Sequence, residues 1–325
     1  MTIAPRPPVD SKRAPIAIFT FDRLEQVNRT LASLEKATWF EQSPIYVFCD
    51  AARPDRPGEE ERVAAVRERI VRWSRRVGAK AQFAPVNQGL RLSITTGISS
   101  VLADHDRVIV LEDDIIVSPD FLRFINDALI AYAEREDIGQ VSGYFVPHRR
   151  QLPPLGLLRV PACWGWATWK RAWSFYRDDA ENLVAAVKER DTGHFDIDNT
   201  YPYLESLQRN ATGSLNTWLV RWYASLYLEQ MLTVYPSRSL TRNIGFAPGA
   251  TNSGTGRTAR VFRNQPIARI GPSSGWDAVG YEESAEYASA ISGFYAWQMA
   301  MWTKASFTDR LKARFPLAGR LLRQK

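Results

Sequence analysis

Three consecutive acids, Glu112, Asp113 and Asp114, directly follow the apolar run VIVL. Adjacent carboxylates repel one another and an unpaired charge is costly to bury, so we expect a cation near them or an exposed strand end. Mg²⁺ and Mn²⁺ prefer carboxylate oxygens, and an ion that bridges a diphosphate needs only one or two ligands from the protein. The spacing Glu112-x-Asp114 therefore predicts a metal–diphosphate site. The alternative is an acidic strand-to-loop turn, with Ser118 or Asp120 starting the next helix.

Strand-like and helix-like segments alternate up to these acids. Four runs are predicted as strands, of which the first is apolar, β-branched and typical of a buried strand: PIAIFTF (15–21), PIYVFCD (44–50), the short AKAQFAPV (79–86) and DRVIVLED (106–113). Three segments between them show helical spacing or a charge order that suits a helix dipole: residues 24–34, 59–76 and 90–102. The alternation predicts an α/β, Rossmann-like fold, with a mainly parallel sheet and helices on both faces.

Polar residues mark the ends of three of these predicted strands. Thr20, Asp50 and the acidic triplet all fall at carboxyl ends. Because parallel sheets bind their ligands at that edge, we expect these residues to surround one ligand.

The composition limits the class of protein. A chain of 325 residues with 45% hydrophobic and 24% charged residues is typical of a globular protein with a sizeable core. The net charge of +7 favours anionic partners, but dispersed basic residues balanced by acids argue against nucleic acid. Two distant cysteines exclude a disulfide framework and favour a reducing compartment. We find neither a signal-peptide core nor an apolar run of membrane-spanning length, so we expect a cytoplasmic protein.

Several motifs occur in the order of a known family. PIAIFTFDR, VFCD, NQGL, VIVLEDD and SPDFL resemble the donor half of GT-A glycosyltransferases. More narrowly, they resemble the N-acetylglucosaminyltransferase I-like group and similar bacterial sugar transferases. The resemblance covers residues 15–146 and continues in order through WGW (164–166), NTWLVRW (216–222) and VYPSRSLTRNIGF (234–246).

This resemblance implies an activity. It implies transfer of a hexosyl or N-acetylhexosaminyl group from a nucleotide sugar, with Mn²⁺ or Mg²⁺ and with inversion. A UDP-linked donor is expected, with UDP-GlcNAc as one candidate. The implied acceptor is a glycan or a lipid-linked saccharide.

The resemblance also implies roles for individual residues. Arg23 would contact the uracil or a phosphate, and Asp50 would accept a hydrogen bond from the uracil N3–H. Glu112 and Asp113 would face the ribose and the sugar, and Asp114 would ligate the metal. The alternatives are a helix cap or surface charge for Arg23 and a turn residue for Asp50.

Two further polar residues allow two interpretations each. Arg91 is a candidate diphosphate ligand or a surface residue of its helix. Asn87 in NQGL is a turn residue or a ligand. The segment RNIGFAPGATNSGTG (242–256) is a candidate lid over the diphosphate or an ordinary loop.

The second half of the chain is rich in tryptophan. Indole faces stack on sugars, so we expect Gly165 and Trp166 to shape the donor-sugar pocket. Trp166, Trp169 and Trp173 have helical spacing, and we assign Trp169 and Trp173 to the core.

The general base is not evident. An inverting transferase needs a group that takes the acceptor proton, and the resembled enzymes carry a carboxylate just before a tryptophan. Here the chain reads SLNTWL, and neither Asn216 nor Thr217 can act as a base. Asp196 and Asp198, in DTGHFDIDN, are candidate acids, with a surface loop as the alternative.

The alternation fades after residue 145, which suggests the domain organisation. We expect a disordered leader (1–14), one domain with a nucleotide-sugar half (15–146) and an irregular acceptor half (147–303), and a basic tail (304–325). The tail is either a solvated helix or a peripheral contact with the inner face of an anionic membrane.

Two rival functions differ in what they require. A nucleotidyltransferase would carry a glycine-rich, lysine-bearing phosphate loop after the first strand, where this chain reads FTFDRLEQ. A non-catalytic nucleotide- or glycan-binding module remains an alternative because the base is missing.

Overall fold

The computed structural model describes residues 13–246, 257–270, 276 and 279–314. Its strands are β1 (Ile16–Thr20), β2 (Ile45–Cys49), β3 (Lys80–Phe83), β4 (Arg107–Glu112), β5 (Ile115–Val117), β6 (Ile138–Ser142), β7 (Leu155–Leu158), β8 (Trp166–Trp169), β9 (Leu232–Pro236) and β10 (Thr241–Asn243). Its α-helices are α1 (Leu24–Leu34), α2 (Glu59–Val77), α3 (Gly89–Asp104), α4 (Phe121–Ala131), α5 (Lys170–Trp173), α6 (Ala180–Lys188), α7 (Thr192–Phe195), α8 (Tyr203–Ala211), α9 (Leu219–Leu228), α10 (Arg257–Arg263) and α11 (Ala285–Arg314). A short 3₁₀ helix covers Phe40–Gln42.

Eight strands form one sheet in the order β3-β2-β1-β4-β8-β6-β9-β7. The pairs β2–β3, β1–β2, β1–β4 and β6–β9 are parallel, whereas β8 and β7 run against their neighbours. The expected α/β fold with a mainly parallel sheet is thus confirmed. Four of its strands are the four strands predicted in the first half, and β3, at the edge of the sheet, is largely exposed.

Helices cover both faces of this sheet because successive side chains of a strand point to opposite sides. Ile16 and Ile18 of β1 share a buried cluster with Val27 and Leu31 of α1. Ala17 and Phe19, on the other face, pack in the cluster that contains Ile94 and Ile98 of α3. Burial of these alternating residues fixes the register of β1, and hence the position of its carboxyl end.

The order of the strands creates a crevice at one edge. The chain moves outward from β1 through β2 to β3, and then returns to place β4 on the other side of β1. The connections that follow β1 and β4 therefore diverge, and ligands of α/β proteins bind at such a topological switch point. Phe19 pairs with Glu112, so Thr20 lies beside the acidic triplet.

The second half is more regular than expected, since it adds β7, β8 and β9 to the same sheet. The helical interpretation of the tryptophan spacing is wrong: Trp166 and Trp169 lie on β8, and only Trp173 lies on a helix. Trp169 and Trp173 are buried, as expected. Alternation along β8 places Trp166 and Trp169 in clusters on opposite faces of the sheet.

The two ends of the chain are only partly described. Residues 1–12 of the expected leader and 315–325 of the expected tail lie outside the described residues, while Ala14 is buried and its amide donates to Asn126 at 2.8 Å. The backbone of α11 continues to Arg314, past the expected boundary at residue 303. Among the described residues, no helix combines the length and the apolar character needed to cross a bilayer.

Candidate active site

A cavity of about 440 Å³ lies at the carboxyl ends of β1, β2 and β4. Its volume falls within the range of small-molecule sites. Seven candidate residues from the sequence line it together: Thr20, Arg23, Asp50, Asn87, Glu112, Asp113 and Asp114. The polar residues at the predicted strand ends therefore line one cavity, and their binding of a ligand stays a prediction.

The positive group among the acids is Arg23. It directly precedes α1, and its guanidinium pairs with both aspartates. Nη1 lies 2.8 Å from Oδ2 of Asp114, and Nη2 donates to Oδ1 of Asp113. Asp113 also accepts from the amide of Phe21 at 3.3 Å, and its backbone carbonyl accepts from the Thr30 hydroxyl at 2.8 Å.

One arginine does not fully neutralise three neighbouring carboxyls. Burial, followed by repulsion from Asp114 and Asp113, raises the pKa of Glu112 to about 8. Burial also raises the pKa of Asp113 to about 7, although Arg23 opposes the shift. Burial disfavours the charge of Arg23 too, but its attraction to Asp113 and Asp114 is larger in sum and leaves its pKa raised. Additional negative charge is therefore unfavourable at the end of β4, and a bound cation would favour the ionised form of these carboxyls.

The donor set at this place suits a hard divalent cation. It consists of carboxylate oxygens, the ligands that Mg²⁺ and Mn²⁺ prefer. The guanidinium of Arg23 already provides positive charge between Asp113 and Asp114. Within the described residues, no three His, Cys, Asp or Glu side chains converge as a complete protein-made metal site. Such an ion would therefore take its remaining ligands from a diphosphate or water.

Gly245, two residues after β10, lies against the side chain of Asp114. The strand β10 pairs with β5 so that Asn243 faces Ile115, and the Ile244 amide donates to the Asp114 carbonyl at 2.8 Å. A Cβ on Gly245 would overlap Oδ2 of Asp114 and lie 3.0 Å from Nη1 of Arg23. Only glycine permits this close approach of the backbone to the acid.

Asp50 has an internal role. Its carboxylate accepts from the amides of Ala51, Gln88 and Gly89 at 2.8–2.9 Å and from Nδ2 of Asn87 at 3.2 Å. These bonds join the end of β2 to the start of α3. The contact between Asp50 and the uracil stays a prediction. The uracil N3–H would have to donate to carboxylate oxygens that already accept these internal hydrogen bonds.

Thr20 and Glu112 differ in how their side chains are used. The Thr20 hydroxyl donates to the Phe48 carbonyl at 3.0 Å. Glu112 is half-buried, and its carboxyl forms no hydrogen bond with any described residue. Of the three acids, Glu112 is the one whose carboxyl does not pair with Arg23.

Arg91 is not among the residues that line the cavity. Its guanidinium donates to Asp178 and, at 2.7 Å, to Oδ1 of Asn216. Asn216 immediately precedes Thr217 and Trp218, which do line the cavity. Arg91 therefore holds the residue next to the cavity lining by a hydrogen bond. Its contact with a diphosphate stays a prediction.

Two tryptophans line the cavity, Trp164 and Trp218, and Trp166 is not among the lining residues. Trp166 is fully buried and stacks on Trp218 with ring centroids 5.2 Å apart. Trp164 is half-buried, lines the cavity and packs edge-on against Phe246 at 5.4 Å. Gly165 has φ +84°, which breaks the strand alternation that would place both indoles on the same face. The sequence analysis missed Trp164, although the glycine in WGW was a signal for such a break.

Asp196 and Asp198 lie away from the cavity lining. Asp196 accepts from the Leu204 amide at 2.7 Å, and Asp198 pairs with Arg159 at 3.0 Å. Both carboxylates are therefore engaged in contacts outside the cavity, and a role for either as the general base stays a prediction. Among the described residues that line the cavity, every carboxylate comes from the first half of the chain.

Comparison with known proteins gives little beyond this geometry. No family model matches the chain, and neither does any curated protein. One similar solved structure is the mannosyltransferase PcManGT from Pyrobaculum calidifontis in complex with GDP-Man and Mn²⁺, with 11% identity, a TM-score of 0.36, and coverage of 67% of this chain and 69% of that one. Another is S. aureus TarS 1–349, with 12% identity, a TM-score of 0.39, and coverage of 70% of this chain and 59% of that one. Neither similarity assigns a donor, an acceptor or a reaction to this chain.

Proposed function

We propose that this protein is a GT-A-type glycosyltransferase that binds a nucleotide-sugar donor with a divalent cation. One observation carries the proposal: Glu112, Asp113 and Asp114 line a cavity at the switch point between β1 and β4, with Arg23 between two of them. The ordered motifs around these acids support it. So does the position of the cavity, because nucleotides bind α/β sheets at such a crevice.

The residues can be given roles in donor binding. Asp114 would hold Mn²⁺ or Mg²⁺, and the bound cation would neutralise the departing diphosphate. Arg23 would contact a phosphate or the base, and Glu112 would accept hydrogen bonds from the hydroxyls of the ribose or the transferred sugar. Thr20 and Asp50 would shape the base end, while Trp164 would provide an apolar wall for a sugar.

The donor and acceptor follow from the resemblance alone. We propose a UDP-linked donor, with UDP-GlcNAc as the first candidate, and a hydroxyl of a glycan or lipid-linked saccharide as acceptor, with inversion. A cytoplasmic site of action and peripheral contact with a membrane through residues 304–325 are also predictions. The side chains of the basic residues in that segment lie outside the described part of the chain.

A non-catalytic nucleotide-binding module is the second candidate, and one observation favours it. No described residue of the second half contributes a carboxylate to the cavity, so an acceptor-side general base is not evident. The nucleotidyltransferase alternative has less support, because the connection from β1 to α1 is only Phe21–Arg23 and contains neither lysine nor glycine.

A donor screen tests the proposal. Thermal unfolding would be measured with UDP-, GDP- and other nucleotide sugars, each with and without Mn²⁺. We expect one nucleotide class to raise the melting temperature only with the metal. Slow metal-dependent hydrolysis of the stabilising donor would identify an enzyme, whereas stabilisation without turnover of donor, alone or with saccharide acceptors, would identify a binding module.

A further inference from the structure

Arg23 occupies the place where a cation would bind between Asp113 and Asp114. Its two terminal nitrogens are divided between the two carboxylates, with Nη1 2.8 Å from Asp114. The side chains of Asp113 and Asp114 are only 4% and 10% exposed. A metal ion cannot approach Oδ2 of Asp114 closely while the guanidinium stays there.

The surroundings restrict where the guanidinium can go. The backbone at Gly245 closes over Asp114, and Phe21 donates to the other oxygen of Asp113. The Arg23 side chain is 33% exposed and lines the cavity, so the guanidinium is accessible to a ligand that enters there. A divalent ion on Asp114 would repel the guanidinium strongly at this short range. An anion in the cavity would give Arg23 a new partner.

We propose that Arg23 is an exchangeable internal cation that couples metal binding to diphosphate binding. Without a ligand, it neutralises Asp113 and Asp114 and competes with a divalent ion. When a nucleoside diphosphate enters, Arg23 moves to a phosphate oxygen and leaves Asp114 to the metal. This inference rests on the proposed function, because it takes the diphosphate as the ligand of the cavity.

Thermodynamic linkage makes the inference measurable. If the diphosphate frees Asp114 by taking Arg23, it must raise the affinity for metal, and the metal must raise the affinity for diphosphate by the same factor. Direct bridging of the two ligands would give some coupling in any protein. The contribution of Arg23 is the part that disappears when its charge is removed.

The experiment measures Mn²⁺ affinity by electron paramagnetic resonance or calorimetry, with and without saturating UDP. The variants are Arg23→Gln and Arg62→Gln. Arg62 is a matched control, since it loses the same charge nearby but pairs with Asp22 at 3.0 Å and not with Asp113 or Asp114. Arg23→Lys keeps the charge but loses the fork that bonds both acids. Circular dichroism would verify that each variant is folded.

In Arg23→Gln, Mn²⁺ alone should bind roughly 5- to 150-fold more tightly than in the wild type, the usual range of coupling between two sites. The effect of UDP on Mn²⁺ affinity should shrink in this variant. Arg62→Gln should behave like the wild type, and Arg23→Lys should lie between. Unchanged Mn²⁺ affinity in Arg23→Gln, or an equal gain in Arg62→Gln, would overturn the inference.

The outcome separates this inference from the proposed function. If the wild type binds UDP with Mn²⁺ but Arg23→Gln shows no gain for metal alone, the exchange is wrong and the nucleotide site stands. If neither protein binds any nucleoside diphosphate with metal, the proposed function itself fails.

Discussion

Nη1 of Arg23 and Oδ2 of Asp114 form an ion pair at 2.8 Å, between the residue that precedes α1 and the acid that follows β4. The pair joins the two strand ends that flank the switch point of the sheet. A cluster of three adjacent acids is tolerated at this buried edge because the guanidinium lies between two of them. The candidate site thus depends on contacts between segments about 90 residues apart.

Gly245→Ala should disturb the acids without adding or removing charge. The new Cβ would overlap Oδ2 of Asp114, so either the acid or the 243–246 segment must shift. We expect weaker binding of UDP with Mn²⁺, measured by calorimetry. Gly293→Ala is the control, because a Cβ there meets nothing within 4 Å. Equal affinities in both variants would show that the approach of Gly245 to Asp114 is unimportant.

Substitution of Trp164 should mainly weaken ligand binding, whereas substitution of Trp166 should mainly lower stability. Trp166→Ala empties a fully buried site and should lower the free energy of unfolding by roughly 3–5 kcal/mol. Trp164→Ala should cost less stability. It should also reduce the preference for the nucleotide sugar over the free nucleoside diphosphate by about five-fold, the effect of losing ~1 kcal/mol of stacking. Urea unfolding and calorimetry measure these effects. If Trp166→Ala instead lost the preference for the nucleotide sugar and Trp164→Ala lost more stability, Trp166 and not Trp164 would be the residue that contacts the sugar.

Asp50→Ala should act on stability first. The variant leaves the amides of Gln88 and Gly89 without their acceptor, which should cost about 1–3 kcal/mol of unfolding free energy. If Asp50 also binds the base, preference for uridine over other nucleotides should fall in competition assays. A loss of stability with an unaltered preference would restrict Asp50 to the start of α3.

Glu59 should make stability sensitive to acid. Hydrogen bonds from Arg53, a residue that lines the cavity, lower the pKa of Glu59 from 4.5 to about 2. Because the folded-state pKa is depressed, the stabilisation is complete above pH 4.5 and is lost as the pH falls towards 2. Glu59→Gln should therefore be less stable than the wild type at pH 7, and this gap should narrow at low pH. Denaturant unfolding at several pH values measures it, and a constant gap would refute the linkage.

The sequence predicts the fold around β1, β2 and β4 well for a physical reason. Those strands are apolar, β-branched runs, and each stops at a polar residue. Because parallel strands end at a common edge, local patterns alone bring Thr20, Asp50 and the acids together.

Sequence patterns did not reveal the contacts of Arg23 or the strand that contains Trp166. Arg23 meets Asp114 only because β4 lies beside β1, and no local rule gives the direction of its side chain. Trp166, Trp169 and Trp173 are spaced by three and four residues, which suggested a helix. In the structure, Trp166–Trp169 forms the strand β8, which pairs with β4 and β6. Short apolar runs do not distinguish these two structures.

The most direct test of the account is calorimetric titration of UDP in the presence and absence of Mn²⁺, with the wild type and Asp114→Asn. Asp55→Asn serves as the control, because Asp55 is exposed and lies outside the cavity lining. We predict metal-dependent binding in the wild type and in Asp55→Asn, and its loss in a folded Asp114→Asn. Metal-dependent affinity that is unchanged in Asp114→Asn would contradict the account.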